Sequence, residues 1–307
     1  MMQAQTEDWR PKILLIGKSG QVGRDLHPLF AQFGQVLAPD RHDFDFCRPD
    51  SVRNCVRAIR PDIIVNAAAY TAVDKAESEP ELARAVNAVG PGILAAEAHE
   101  LGALLVHYST DYVFDGSKTT PYLETDPANP LNAYGKSKLE GEEALRNSGC
   151  DHLIFRTSWV YSRQGSNFLL TMLSLGRERE ALRIVDDQIG APTSSGALAR
   201  ATAKLLKMRM RGDSTNSGTY HMTASGYVSW FGFANAIFES YPNPSDLCVR
   251  RILPIQASDY VTPARRPLNS RLDCSKLRDV LGISMPPWQE DLAEVMNSLV
   301  PAAISSN

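Results

Sequence analysis

The segment Lys12-Ile-Leu-Leu-Ile-Gly-Lys-Ser-Gly-Gln-Val-Gly23 limits the fold more than any other stretch of this chain. Lys12 to Ile16 is an apolar run of strand length, as expected of a parallel strand buried on both faces. Gly17, Gly20 and Gly23 then recur with two residues between each. Val22, Leu26, Leu29, Phe30 and Phe33 follow at helical spacing, which predicts a helix over residues 21–32. A strand, a glycine-rich turn and a helix together form the setting of a dinucleotide site. Glycines let the backbone turn tightly and approach a pyrophosphate, which rests on the N–H groups of the helix N-terminus. The spacing is Gly-x-x-Gly-x-x-Gly, not the more familiar Gly-x-Gly-x-x-Gly.

The pattern then repeats. Residues 36–40 read as a second strand ending in Asp40, which lies near the place where an acid meets the adenosine ribose. Asp43 and Asp45 are rivals for that role. Arg41 and Arg48 lie close by and suit a 2′-phosphate. Residues 62–66 read as a third strand, followed by the small residues Ala67, Ala68 and Ala69. Residues 104–109 are a fourth, leading to Thr110 and Asp111, and 152–156 a fifth, followed by Thr157, Ser158 and Trp159. Helical patterns over 51–59, 81–101 and 134–145 separate them. This alternation predicts an α/β fold, a Rossmann-type doubly wound parallel sheet. Ligands in such sheets bind beyond the carboxyl ends of the strands, where these polar residues sit.

Tyr134 and Lys138 are four residues apart, so on a helix they share a face, one turn apart. A free phenol has a pKa of about 10, and a fixed positive charge beside it favours the phenolate. The pair therefore reads as an acid and its tuning cation. Adding hydride to a ketone leaves an alkoxide that needs a proton and a hydrogen-bond donor. Tyr134 and Thr110 supply those functions if helix and strand end face one cleft.

With these residues in place, the chain resembles the extended short-chain dehydrogenase/reductases that act on nucleotide sugars. The resemblance rests on Gly17-x-x-Gly20-x-x-Gly23, Asn66-Ala-Ala-Ala69 and Tyr134-x-x-x-Lys138. The stretches 66–77, 107–114, 156–161, 187–193 and 262–272 narrow it to the branch that reduces a dTDP-linked 4-keto sugar. It extends from about Lys12 to Leu299.

The resemblance implies a role for each matched residue. Gly17, Gly20, Gln21, Val22 and Gly23 would meet the cofactor pyrophosphate. Asp40, Asp45 and Phe46 would lie by the adenosine and its ribose. Ala69, Tyr70 and Thr71 would line the nicotinamide side, with NADPH or NADH as cofactor. Tyr134 would donate the proton, and Lys138 would bind the nicotinamide ribose and lower the pKa of Tyr134. Thr110 would bond near the reacting oxygen, and Thr110 and Asp111 would hold the sugar. Trp159, Asn167 and Arg266 would be further substrate contacts.

Plainer readings stand beside these. Trp159 suits a core position, Asp111 a turn cap, Asn167 a helix N-cap, and Arg266 a solvated charge. Relatives that bind magnesium carry glutamates where this chain has Asp25 and Gly196, so a Mg2+ site is doubtful. A reductase or an epimerase of another 4-keto nucleotide sugar is an alternative reading. So is a non-catalytic regulatory subunit, since a eukaryotic methionine adenosyltransferase partner resembles this family. Intact Tyr134, Lys138 and Thr110 argue against the latter.

Composition sets limits. At 307 residues the chain can hold a dinucleotide-binding domain over about 1–160 and a smaller α/β substrate lobe mainly over 161–307. Net charge is −3, with acids and bases spread along the chain. No basic stripe for nucleic acid and no polybasic tail for a membrane is present. Residues 1–9 lack an apolar signal core, and no apolar run spans a bilayer. Five scattered cysteines show no zinc spacing and suit reduced thiols. The expectation is a cytoplasmic enzyme, a monomer or weak homodimer, with a nucleotide sugar as its partner.

Overall fold

The computed structural model describes residues 10–213 and 216–299, so residues 1–9, read above as lacking an apolar signal core, lie outside the described residues. Strand β1 (Lys12–Ile16) is buried along all but its first residue. Its side chains divide between two cores, as a strand with period two must. Ile13 and Leu15 face one layer of helices. Leu14 and Ile16 face the other. Strands β2 (Gln35–Leu37), β3 (Ile63–Asn66), β4 (Leu104–Thr110) and β5 (His152–Thr157) complete the expected series. With Gly218–His221 they form one six-stranded sheet in the order Gly218–His221, β5, β4, β3, β1, β2. Every pairing in it is parallel. The edge strand Gly218–His221 comes from the second half of the chain and pairs with β5.

Helices α1 (Gln21–Phe30), α2 (Pro49–Ile59), α3 (Val73–Ala76), α4 (Pro80–Arg84), α5 (Gly90–Leu101) and α6 (Ala133–Asn147) connect these strands. Strand β2 ends at Leu37, short of the expected Asp40. Pro39 has no N–H to give, which suits the end of an edge strand. The single helix expected over 81–101 is α4, then a π-helical turn Ala85–Val89, then α5. That turn carries the buried Asn87, whose side chain bonds both the N–H and the carbonyl of Tyr70. A π turn inside a helix commonly serves to aim such a side chain.

Beyond β5 the chain adds α7 (Phe168–Glu178) and α8 (Ser195–Met210). Helix α8 packs beside α1 on the sheet. A separate aromatic core gathers Tyr161, Phe233, Trp288 and Leu292. It sits under a parallel pair made by Ala181–Val185 and Arg251–Ile255. No helix among the described residues is long and apolar enough to cross a membrane.

Candidate active site

The glycine turn is shaped by contacts that only glycine permits. Gly17 has φ +84°, in the left-handed region. A Cβ on Gly17 would lie 2.7 Å from the Ala68 nitrogen, and one on Gly23 would lie 2.1 Å from the Gly17 carbonyl oxygen. The turn is thereby pressed against the end of β3. Gly20 caps α1 without any side-chain bond, and the first turn of α1 holds no acidic residue. The backbone N–H groups of that helix end are therefore not met by a capping side chain, which suits a pyrophosphate.

Beside the turn, Asp40 Oδ1 accepts from the backbone of His42 and Asp43, at 2.8 and 3.3 Å. Asp45 accepts from the Cys47 N–H at 2.9 Å and from Arg48 Nε at 3.2 Å. Those bonds hold its carboxyl below the usual range, the Cys47 N–H first and Arg48 after it. Arg48 Nη2 also donates to the His42 carbonyl. Phe46 is buried, with its ring over Gly90 and edge-on to Phe44. Ala69 and Tyr70 are half-buried, and Thr71 is exposed. The Tyr70 hydroxyl donates to Glu79 at 2.7 Å.

At the end of β4, Thr110 meets Tyr134 of α6. Asn132 caps α6 by accepting from the Gly135 N–H at 2.8 Å. That cap sets the first turn of the helix so that Tyr134 lies buried, edge-on to Tyr112. Tyr134 is hydrogen-bonded to Thr110. Thr110 donates to Asp111 Oδ1 at 3.1 Å and accepts from the Tyr112 N–H. A hydroxyl has one hydrogen, and Asp111 takes it, so the phenol is the donor toward Thr110. Asp111 is buried, and its Oδ2 has no hydrogen-bond partner among the described residues. Burial pushes its carboxyl up to about 6, against hydrogen bonds from Ser270 and Thr110.

Lys138 lies fully inside the protein. Its Nζ donates to the Tyr108 carbonyl at 2.6 Å and sits 3.1 Å from His107 Nε2. Burial brings its pKa down to about 8. The expectation that Lys138 lowers the pKa of Tyr134 needs correction, because the phenol is pushed up to about 12. Burial of the phenol outweighs its hydrogen bond with Thr110, and the nearby Asp111 raises it further. Helical spacing shows that two side chains share a face, but not how deeply that face is buried.

The remaining expected contacts are spread around this centre. Trp159 is half-buried and has φ +49°. Its indole stacks on Trp230 with centroids 3.5 Å apart, and Gly190 also lies close against it. Asn167 caps α7 and also donates to Gln21 Oε1 at 2.9 Å, joining that helix to the glycine turn. Arg266 forms a two-pronged pair with Asp74, at 3.0 and 2.8 Å, and donates to Thr262. Asp25 accepts from the Ser195 hydroxyl at 2.5 Å. Among the described residues, no group of three or more His, Cys, Asp or Glu side chains is placed to hold a metal.

Sequence reasoning passed over His107, Asn87, Ser270 and Trp230. His107 had a signal available, as an imidazole in an otherwise apolar strand. Ser270 had one too, since it lies within the 262–272 stretch, whereas Trp230 lies far from the motifs and had none.

Comparison with known proteins follows the same lines. Residues 11–300 match the family described as RmlD substrate binding domain. A dTDP-4-dehydrorhamnose reductase of Burkholderia thailandensis is 50% identical over 284 residues, covering 91% of this chain and 95% of that protein. The enzyme of the same name from Escherichia coli is 46% identical, covering 94% and 97%. A crystal structure of dTDP-4-dehydrorhamnose reductase from Bacillus anthracis in complex with NADP superposes with a TM-score of 0.87. It is 35% identical and covers 94% of this chain and 100% of that one. UDP-glucose 4-epimerase of Thermus thermophilus, at 18% identity and a TM-score of 0.74, shares the fold.

Proposed function

The chain belongs to the RmlD substrate-binding-domain family of extended short-chain dehydrogenase/reductases, and from that premise we propose that it reduces the 4-keto group of dTDP-4-dehydro-L-rhamnose to dTDP-L-rhamnose, a surface-polysaccharide precursor. Relatives bearing the reductase name match nearly the full chain. The observation that carries the reading is the meeting of Tyr134, Thr110 and Asp111 at the carboxyl edge of the sheet, with one Asp111 oxygen unpartnered.

The residues fit a dinucleotide, since the Gly17–Gly23 turn leaves no room for a Cβ and presents an N-terminus without a side-chain cap. Gly17, Gly20, Gln21, Val22 and Gly23 would hold the pyrophosphate, and Asp40, Asp45 and Phe46 the adenosine side. Ala69, Tyr70, Thr71 and Lys138 would hold the nicotinamide side. NADPH or NADH supplies the hydride.

The protein's own part is to place and protonate the sugar. Thr110 and Tyr134 turn their hydroxyl hydrogens to the C4 oxygen, and Tyr134 gives its proton as the negative charge develops. A neutral phenol suits that task, and the buried setting keeps it neutral. Asp111 Oδ2 accepts from a sugar hydroxyl. Trp159, half-buried, would pack on the sugar or its nucleotide with the part of its indole that Trp230 leaves free. Asn167 steadies the contact with the glycine turn, and Arg266 reaches the diphosphate by exchanging Asp74 for it.

We place the dinucleotide-binding part mainly in 1–160 and the substrate lobe mainly in 161–307. We also propose a cytoplasmic monomer or weak homodimer that needs no Mg2+, which light scattering and cell fractionation would check. An epimerase returns its hydride and makes no net use of cofactor, whereas a reductase consumes it. Incubation with the 4-keto sugar nucleotide, NADPH and EDTA, then identification of the sugar, tests the function. The expected product is dTDP-L-rhamnose. Unchanged ketone, or product only after magnesium is restored, would contradict the reading.

A further inference from the structure

A buried row of three polar side chains runs from Lys138 into the sheet. Lys138, His107 and Asn66 are each 1% exposed. Lys138 Nζ lies 3.1 Å from His107 Nε2. His107 Nδ1 lies 3.0 Å from Asn66 Nδ2. The far end of the row is fixed, because Asn66 Oδ1 accepts the Ala68 N–H at 3.2 Å. With its oxygen so engaged, Asn66 turns its NH2 group to His107. Nδ1 must then accept. A neutral imidazole carries one hydrogen, which therefore sits on Nε2 and points at Lys138. A nitrogen of lysine accepts a hydrogen bond only as the amine.

His107 does not escape this count by becoming imidazolium. Burial, and Lys138 beside it, hold its pKa well below the ordinary histidine value. An ammonium on Lys138 calls for the opposite tautomer. Nε2 must then accept, Nδ1 carries the hydrogen, and Asn66 must turn its oxygen inward and release the Ala68 N–H. Ala68 directly precedes Ala69, Tyr70 and Thr71.

We propose that His107 is a positioning residue for Lys138: it donates from Nε2 to the amine, reverses its tautomer to accept from the ammonium, and passes that change through Asn66 to the backbone at Ala68. The inference rests on the reductase reading, in which Lys138 serves the cofactor side. Each turnover moves one proton from the Tyr134 hydroxyl to the substrate oxygen. Refilling Tyr134 from Lys138 moves one proton from Nζ to the phenolate oxygen and leaves an amine lone pair. The Nε2–H of His107 meets that lone pair.

Other charges near Lys138 are already engaged. Glu142 on its own helix raises the pKa of Lys138 and is paired with Arg156 of β5 and with Arg146. Arg84 of α4 pairs with Glu140, and Glu97 of α5 with Arg57. The phenols of Tyr134 and Tyr108 are both kept neutral by burial. His107 is the titratable side chain within hydrogen-bond reach of Nζ.

The test uses the full chain with 15N-labelled histidine, followed by NMR from about pH 6 to 10, which brackets the Lys138 transition. The resonance that disappears in His107→Gln identifies His107 among the six histidines. The expected result is the Nε2–H tautomer at high pH and the Nδ1–H tautomer at low pH, without an imidazolium stage. One tautomer throughout, or an imidazolium, would overturn the proposal. This readout needs no substrate, so it stands apart from the fate of the reductase reading. In turnover, His107→Phe should move the basic limb of the kcat profile upward by about one pH unit. His107→Gln, whose amide both donates and accepts, should keep the limb near its wild-type position. A uniform fall in kcat with an unmoved limb in His107→Phe would show a merely structural histidine.

Discussion

Thr110 gives its only hydroxyl hydrogen to Asp111, 3.1 Å away, while Tyr134 bonds to the same oxygen of Thr110. The two donors needed at a developing alkoxide are thus already joined, and both must turn toward the substrate oxygen. The phenol is pushed up to about 12 by burial, so it stays protonated across the working range. Tyr134→Phe should therefore lower kcat by at least ~10²-fold, the usual scale of a lost general acid, and leave cofactor affinity nearly unchanged. Turnover close to wild type in that variant would remove Tyr134 from the role.

Asp111 ties activity to stability through pH. Its folded pKa, about 6, lies above the ordinary 3.8. The folded state thus holds a proton that the unfolded chain loses between these values, and stability falls as pH rises through that window. Above about pH 6 the buried carboxylate carries its full desolvation penalty. Asp111→Asn should melt a few degrees higher than wild type near pH 8, and this gain should vanish near pH 4. The same variant should lose ~10- to 100-fold in kcat/KM, the scale of a charge-assisted bond to a sugar hydroxyl. Thermal melts at the two pH values decide the first part. A difference independent of pH would mean that Asp111 ionises freely.

The adenosine side carries mixed charge. Asp45 is bound to Arg48, so neither faces a ribose as a bare charge. We expect both NADPH and NADH to work, with kcat/KM differing by less than ~10³-fold, about 4 kcal/mol. Kinetics with each cofactor measure this. A larger ratio would mean that the acids or the arginines prevail alone.

How much of this was readable in the sequence depended on where each cause lay. Strands β1, β4 and β5 are buried on both faces, so each shows a consecutive apolar stretch, at 13–16, 104–106 and 153–155. The glycine turn was legible because its spacing reflects backbone contact with β3. The break at Ala85–Val89 was not, since Asn87 is drawn to Tyr70 from 17 residues away. Arg266 read as a substrate contact or a solvated charge because Asp74, its partner, lies 192 residues earlier. The tuning of Tyr134 by Lys138 was misjudged because helical spacing says nothing of burial, and burial dominates both groups. His107 went unremarked for a similar reason, since its partners Asn66 and Lys138 come from two other elements.

The central claim is that this site reduces a sugar ketone and does not merely pass a hydride out and back. The most direct measurement follows deuterium from NADPH labelled at the reactive carbon, with the sugar product read by mass spectrometry and NMR. The account predicts one deuterium at C4 of the sugar for each NADP+ released. An isomerised sugar without deuterium, formed with no net oxidation of NADPH, would contradict it.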